Sequence, residues 1–288
     1  MKYLDSFTFP DRDQEFDFFV SQKRTCHTDF YPYQVLSSLD LTQLEFAPIT
    51  ILHGGNGCGK TTALNVMAER LEAERDSIYN KSVFFPDYVK QCREEWCGDR
   101  PQEIRIITSD DVFDYMLNIR HMNEGIDHRR ESMFSEWYDL KTGRTPVRMD
   151  SLADYDRLKK ANDAKRMTQS RFIRNHLMAN PREYSNGESA FFYFTEKIRE
   201  NGLYLLDEPE NSLSPVRQKQ LVQFLEDSVR FFGCQFIIST HSPFLLALRD
   251  ARIYDLDQCP VEVKPWTQLE NVREYYELFQ RHQSEFDE

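Results

Sequence analysis

Short apolar runs separated by amphipathic stretches organise both ends of this chain. The run at residues 47–52 leads into a glycine-rich loop, after which apolar residues recur at helical spacing from Leu64 to Leu71. Further apolar runs, with helical patterns between most of them, lie at residues 104–108, 203–210, 235–240, 252–257 and 261–263. Strands that alternate with helices in this way predict an α/β fold with a mixed, largely parallel sheet.

Two regions depart from this alternation. Aromatic-rich runs in the first 46 residues predict strands of an N-terminal antiparallel β region, and a later run predicts one more strand. These runs lie at residues 3–9, 15–20, 41–46 and 83–85. Residues 111–184 are rich in charge and carry helical patterns, which predict a helical insertion. We therefore expect a single domain over residues 1–288 with this insertion, a lid, at 111–184.

The composition is that of a folded protein. Hydrophobic residues make up 40% and charged residues 29% of the 288 residues, which is typical of globular chains. No apolar run approaches the roughly 20 residues of a membrane span, and the first residues lack the apolar core of a signal peptide. We expect a cytoplasmic protein with no membrane span of its own and six scattered, reduced cysteines.

Charge is distributed unevenly along the chain. The formal net charge is −12, which argues against a protein that coats nucleic acid over its whole surface. Residues 120–182, however, hold fourteen Lys/Arg and nine Asp/Glu, a net charge of +5. This basic segment is a candidate contact surface for nucleic acid. The alternative interpretation is a set of solvated helix faces.

The glycine-rich loop carries the strongest chemical signal. Residues 54–61, GGNGCGKT, fit the phosphate-loop pattern G-x-x-x-x-G-K-[ST], with a strand before and a helix after. Glycines let backbone N–H groups approach phosphates closely. Lys60 is expected to reach the β and γ phosphates, and the Thr61 hydroxyl to ligate Mg²⁺. The predicted nucleotide-binding residues here are Gly54, Gly55, Asn56, Gly57, Cys58, Gly59, Lys60, Thr61 and Thr62.

Two carboxylates end the apolar run that begins at Leu203. Asp207 is expected to hold Mg²⁺ beside Thr61, and Glu208 to polarise the attacking water. A strand that ends in acids is common on its own, but the complete phosphate loop in the same chain favours ATP hydrolysis.

Three later segments resemble the motifs of ABC-type ATPases. Residues 184–188, YSNGE, resemble the signature motif L-S-G-G-Q, and residues 211–214, NSLS, resemble the D-loop. His241, in the stretch STHSP after a strand, resembles the switch histidine. The stretch DEPENSLSP from Asp207 is similar to the D-E-P-E-x-x-L-H-P pattern of the RecF, SMC and overcoming-lysogenization-defect group.

This resemblance implies a P-loop NTPase fold of the ABC-ATPase kind and an ATP-dependent head-to-tail homodimer. Each ATP would lie between the phosphate loop of one subunit and Ser185, Gly187 and Glu188 of the other. His241 would contact the γ-phosphate and the attacking water beside Glu208. The family's glutamine loop has no glutamine here, so Asp110 and Asp111 are the candidates for its place. The candidates for the adenine-stacking aromatic are Phe30, Tyr31 and Tyr33.

Three functions fit these motifs. The first is a stand-alone ATPase that acts on nucleic acid or in defence through the basic segment at 120–182. The second is the nucleotide-binding subunit of an ABC transporter, against which the missing glutamine argues. The third is an ATP-gated regulator of a separate effector protein. Residues 242–288 are too few for the nuclease domain of the overcoming-lysogenization-defect proteins, so we expect any nuclease to be a separate chain.

Overall fold

The computed structural model describes residues 2–23, 26–143, 155–178, 186–211 and 213–286. The chain divides into two compact units, residues 1–113 with 186–288 and residues 114–185. The strands are β1 (Leu4–Thr8), β2 (Gln43–Glu45), β3 (Ile49–His53), β4 (Arg93–Trp96), β5 (Glu103–Thr108), β6 (Gly202–Asp207), β7 (Gln235–Ser239), β8 (Arg252–Asp255) and β9 (Glu262–Val263). The helices are α1 (Arg12–Ser21), α2 (Lys60–Arg70), α3 (Phe85–Gln91), α4 (Ser109–Thr142), α5 (Tyr155–Arg166), α6 (Gln169–His176), α7 (Asn186–Lys197), α8 (Pro215–Phe231), α9 (Pro243–Leu246), α10 (Glu270–Arg281) and α11 (Gln283–Phe286).

The main sheet of the first unit has the strand order β5-β6-β7-β3-β8-β9, parallel except for β9. Every residue of β3, β6 and β7 is buried, as expected for strands covered on both faces. Ser239 pairs with both Leu52 and Asp207 across the sheet. The carboxyl ends of the three central strands are therefore level, and the loops that follow them meet at one edge. The predicted α/β fold with a helical insertion is confirmed.

A second, three-stranded antiparallel sheet in the order β2-β1-β4 confirms the predicted N-terminal β region. Gln235, fully buried at the start of β7, joins it to the main sheet. The Gln235 side-chain oxygen accepts hydrogen bonds from the backbone N–H groups of Tyr3 (2.8 Å) and Leu4 (2.9 Å). Its amide group donates to the carbonyl oxygens of Leu4 (3.0 Å) and Ala47 (3.1 Å). Because the buried side chain of Gln235 makes all of these hydrogen bonds, it fixes the position of β1 relative to the main sheet.

Residues 15–20, predicted as a strand, lie in the helix α1 instead. Asp11 and Gln14 form a capping box at its start, a strong local signal for a helix N-terminus. Phe18 and Phe19 pack against the core, and Glu15 lies on the same side at helical spacing. The Glu15 carboxylate accepts hydrogen bonds from Gln34 N (3.0 Å) and Ser37 Oγ (2.7 Å). The aromatic content of this run favours a strand, whereas the capping box that precedes it favours the helix that forms.

The strand predicted at residues 83–85 is also wrong. Phe85 begins α3, which has a proline in its first turn, a position that proline favours. Phe84 and Phe85 are buried as the prediction required, but in a turn and a helix. Conversely β4, a polar run with no alternation, was not predicted. It forms because its backbone pairs with β1.

The second unit is helical. It contains most of α4 together with α5 and α6, and a small apolar cluster formed by Met133, Leu140, Ala161, Ala164, Phe172 and Ile173. Lys160 forms an ion pair with both carboxylate oxygens of Glu136, at 2.7 and 2.8 Å. Among the residues that the structure describes, no helix has the length and apolar character that crossing a bilayer requires.

Candidate active site

The glycine-rich loop connects the buried strand β3 to α2. Gly59 caps α2 in the left-handed conformation, with φ +93°, which a residue with a side chain rarely adopts. A Cβ at Gly59 would lie 3.1 Å from Val35 Cγ1 and 3.2 Å from Leu36 Cδ2. Glycine is therefore required here on two grounds, and it lets the loop turn directly into the helix.

The rest of the loop is compact and makes close contacts at Gly54 and Gly55. A Cβ at Gly54, which has φ +154°, would lie 2.6 Å from Cys58 Sγ. The N–H of Gly55 donates to Asp257 Oδ1 at 2.7 Å. Asn56 and Gly57 at the tip are exposed, and Thr62 behind it is buried. The loop thus has the compact form in which backbone N–H groups can surround a phosphate.

Lys60 lies inside this loop. Its side chain is buried, with 5% of the residue exposed. The Lys60 ammonium donates to the carbonyl oxygens of Gly54 (2.8 Å) and Gly55 (2.9 Å). These carbonyl groups hold the cation within the loop, where its charge is available to an incoming phosphate.

The metal-binding residues predicted from sequence, Thr61 and Asp207, are in direct contact. Thr61 Oγ1 donates to Asp207 Oδ1 at 3.2 Å, and the Ser239 hydroxyl donates to the same oxygen. Burial raises the pKa of Asp207, while the hydrogen bonds from Ser239 and Thr61 oppose this rise. A hydroxyl and a buried carboxylate form the hard oxygen donor set that Mg²⁺ prefers, so these residues fit the ion.

The two predicted catalytic side chains are also brought together. Glu208 follows β6 with a left-handed backbone, φ +48°, and its N–H donates to the Ser239 carbonyl oxygen at 3.0 Å. One carboxylate oxygen accepts from Asn211 Nδ2 at 2.9 Å. The other lies 3.5 Å from His241 Nε2. In the part of the chain that the structure describes, His241 Nε2 is buried and has no hydrogen-bond partner beyond this approach to Glu208.

A cavity of about 340 Å³ adjoins Thr61 and Asp207. Tyr31 lines it and donates a hydrogen bond to Thr62 Oγ1 at 3.1 Å. The other candidate aromatics are stacked elsewhere, Phe30 on Phe84 and Tyr33 on Phe18. Tyr31 is therefore the one of the three that lies at the site.

Of the two acids at the start of α4, only one lines this cavity. Asp110 lines the cavity beside Thr61. Asp111 is buried, and its Oδ2 accepts hydrogen bonds from Thr108 N (2.6 Å) and Thr108 Oγ1 (2.9 Å). Asp111 thus caps its own helix, and of the two acids only Asp110 lines the cavity.

The signature segment is described only in part. Ser185 lies outside the described residues, as do Tyr184 and Ser212. Gly187 and Glu188 occupy the first turn of α7. Glu188 Oε1 accepts a hydrogen bond from Arg217 Nη2 at 2.8 Å, which ties this turn to α8.

Sequence reasoning missed Ser239 and Asp257. Ser239 contacts both Asp207 and Glu208 because it ends the neighbouring strand. That position was the available signal, since the carboxyl ends of adjacent parallel strands meet. Asp257 follows β8 and lies 202 residues from Gly55 in sequence. No local pattern could have indicated that contact.

Comparison with known proteins agrees with this geometry. Residues 108–247 match the family described as "AAA domain, putative AbiEii toxin, Type IV TA system". The matched residues contain Asp207, Glu208 and His241, and the strand, phosphate loop and helix of residues 49–70 precede them in the chain. A search of curated proteins found no match.

The solved structures that the chain matches have low TM-scores and low sequence identity. An inward-facing conformation of "a putative metal-chelate type ABC transporter" has a TM-score of 0.43 and 15% identity, covering 97% of this chain and 90% of that one. The Smc head domain of Pyrococcus furiosus, bound to the C-terminal domain of ScpA, has a TM-score of 0.38 and 13% identity, with 84% and 95% covered. The SMC head domain of Thermotoga maritima has a TM-score of 0.36 and 12% identity, with 92% and 99% covered.

Proposed function

We propose that the protein binds ATP with Mg²⁺ and hydrolyses it to ADP and phosphate. One observation carries this proposal: the phosphate loop, the Thr61–Asp207 contact and the Glu208–His241 pair lie along one edge of the main sheet. A phosphate-binding loop beside an oxygen donor pair for Mg²⁺ and a carboxylate that can accept a proton from water is the arrangement that phosphoryl transfer to water requires.

Each side chain has a distinct role in this proposal. Lys60 and the loop N–H groups bind the β and γ phosphates, and Thr61 and Asp207 hold the ion. Glu208 accepts the proton of the attacking water, whose oxygen bonds to the γ-phosphorus as the bond to the bridging oxygen of ADP breaks. His241 orients that water through Nε2. When bound, Mg²⁺ neutralises charge on the phosphate oxygens.

We further propose that the site is completed by a second copy of the chain. Glu208 and His241 have side chains that are 30% and 34% exposed, so they are accessible to a partner subunit. The start of α7 with Gly187 and Glu188, preceded by Ser185, resembles the segment that closes the site in ABC-type dimers. A helix N-terminus suits a γ-phosphate because its free N–H groups and dipole favour an anion.

Steady-state phosphate release tests this function in the wild-type protein. We expect turnover that requires Mg²⁺ and stops when EDTA removes it. Because two copies would form each site, the rate per protomer should rise with protein concentration before it levels off. A protein that binds no ATP in the presence of Mg²⁺ would contradict the proposal. A rate per protomer that is independent of concentration would contradict the dimer.

We propose nucleic acid as the ligand on which the ATPase cycle acts, bound through the second unit. Among the side chains that the structure describes, the exposed Lys and Arg residues of α5 and α6 are Lys159, Lys165, Arg166, Arg171 and Arg174. Lys160, by contrast, is neutralised by Glu136. Exposed Lys and Arg groups that are not neutralised release counterions when they bind phosphates, which makes them suited to a nucleic-acid backbone.

Charge reversal tests the nucleic-acid proposal. We expect DNA or RNA to raise ATP turnover several-fold, and the triple change Lys159→Glu, Lys165→Glu, Arg166→Glu to abolish that rise and weaken binding by roughly 10²-fold at low salt. Lys90→Glu is the control, because Lys90 is 76% exposed and lies in the first unit. If nucleic acid leaves turnover unchanged in the wild type, the basic helices fit the alternative of an ATP-gated regulator with a protein partner.

A further inference from the structure

Glu210 makes a cluster of contacts with the loop that follows β7. Its Oε1 accepts three hydrogen bonds, from Thr240 Oγ1 (2.6 Å), His241 N (2.7 Å) and Ser242 N (3.1 Å). The donors are about thirty residues away in sequence. One carboxylate oxygen thus gathers three consecutive residues of the switch loop, residues 240–242.

The switch loop has a second attachment that starts from the same turn. Ser242 caps α9 and donates from Oγ to Gln218 Oε1 at 2.7 Å. Gln218 Nε2 in turn donates to the Leu213 carbonyl oxygen at 3.0 Å. Leu213 N donates back to the Glu210 carbonyl oxygen at 2.9 Å. The switch loop, the start of α8 and the turn after β6 form one hydrogen-bonded unit.

We infer that Glu210 is a positioning residue that fixes His241 at its working distance from Glu208. Glu208 and Glu210 flank Pro209 in a turn closed by Asn211 N and the Glu208 carbonyl oxygen at 3.1 Å. The acid that activates water and the acid that holds the histidine are therefore two side chains of one hydrogen-bonded turn. The inference rests on the proposed hydrolysis of ATP, because it assigns a role within that site.

The environment of Glu210 agrees with a fixed acceptor. Burial raises the pKa of Glu210, while hydrogen bonds led by that from Thr240 oppose the rise. Its second oxygen, Oε2, is buried and has no hydrogen-bond partner within the described residues. A side chain that makes its contacts through one oxygen can be replaced by glutamine with those contacts kept, whereas aspartate is too short to reach them.

Four variants test the inference: Glu210→Ala, Glu210→Gln, Glu210→Asp and, as a matched control, Glu226→Ala. Glu226 also accepts a hydrogen bond from a backbone N–H, that of Arg249 at 3.2 Å. We expect Glu210→Ala and Glu210→Asp to lower kcat by roughly 10²-fold with the Kd for ATP within about threefold of wild type, since positioned proton-transfer groups contribute about 10²–10⁴-fold. Glu210→Gln should keep kcat within about fivefold, and Glu226→Ala should keep the wild-type value.

A double-mutant cycle separates positioning from general support of the fold. If Glu210 acts through His241, the double variant Glu210→Ala/His241→Ala loses no more kcat than His241→Ala alone. Losses that multiply would overturn the inference, as would a wild-type kcat in Glu210→Asp.

Should Glu210→Ala fail to fold, the kcat values of Glu210→Asp and Glu210→Gln test the inference instead. Turnover by the wild-type protein is measured alongside, because its absence contradicts the proposed function itself, whereas wild-type turnover with an equally active Glu210→Asp contradicts only the role of Glu210.

Discussion

Replacing Glu208 by glutamine is expected to lower kcat for ATP hydrolysis by roughly 10³-fold, within the range that general base groups supply. Glutamine has the same shape but cannot accept the proton of the attacking water. The backbone of Glu208 is held by Ser239 independently of the side chain, so the amide should occupy the place of the carboxylate. The Kd for ATP should therefore stay within about threefold of wild type, because the phosphate loop is unchanged.

Phosphate release and ATP binding, measured on the same preparation, check this prediction. Light scattering adds a second readout, because a site that binds ATP without cleaving it should accumulate the ATP-bound dimer. Glu226→Gln makes the same chemical change outside the site and should leave both measurements unaltered. A Glu208→Gln variant that hydrolyses ATP at the wild-type rate would remove Glu208 from the mechanism.

The parts of the site that the sequence predicted are functional residues that directly follow a predicted strand. Gly59, Lys60 and Thr61 are adjacent in the chain, and they follow an apolar run that predicts a strand. Asp207 and Glu208 likewise end such a run. Since parallel strands bring their carboxyl ends to one edge, recognising the strands was sufficient to bring these residues together.

The contacts that sequence reasoning missed are those between distant segments. Glu210 reaches the loop after the next strand, and Asp257 reaches Gly55 across the sheet. Side chains of this type are common on surfaces, so nothing in their own neighbourhood distinguishes them. Only the pairing of β6 with β7 and of β3 with β8 makes the partners neighbours.

The type of two short elements, α1 and β4, was also beyond what the sequence pattern predicted. In α1 the aromatic residues favour a strand by composition, but the capping box of Asp11 and Gln14 favours a helix, and the helix is what forms. In β4 neither composition nor period indicates a strand. Its structure comes from the backbone groups that the edge of β1 offers, a tertiary effect that a single sequence does not reveal.

Replacing Lys60 by alanine is expected to weaken ATP binding by at least about 10²-fold, because two charge-assisted hydrogen bonds to phosphate contribute on the order of 3 kcal/mol together. The cation is buried and held by two loop carbonyl oxygens, so water cannot take over its role. Hydrolysis should be lost with binding, unlike in Glu208→Gln.

A labelled ATP analogue titrated in Mg²⁺ measures the affinity of the Lys60→Ala variant, and thermal unfolding measures its stability. The variant also leaves the carbonyl oxygens of Gly54 and Gly55 without their donor, which should cost about 1–2 kcal/mol. Lys90→Ala, at an exposed position, controls for the loss of a positive charge. An affinity within about threefold of wild type would mean that the loop N–H groups alone bind the phosphates, and that the ammonium serves only to hold the loop together.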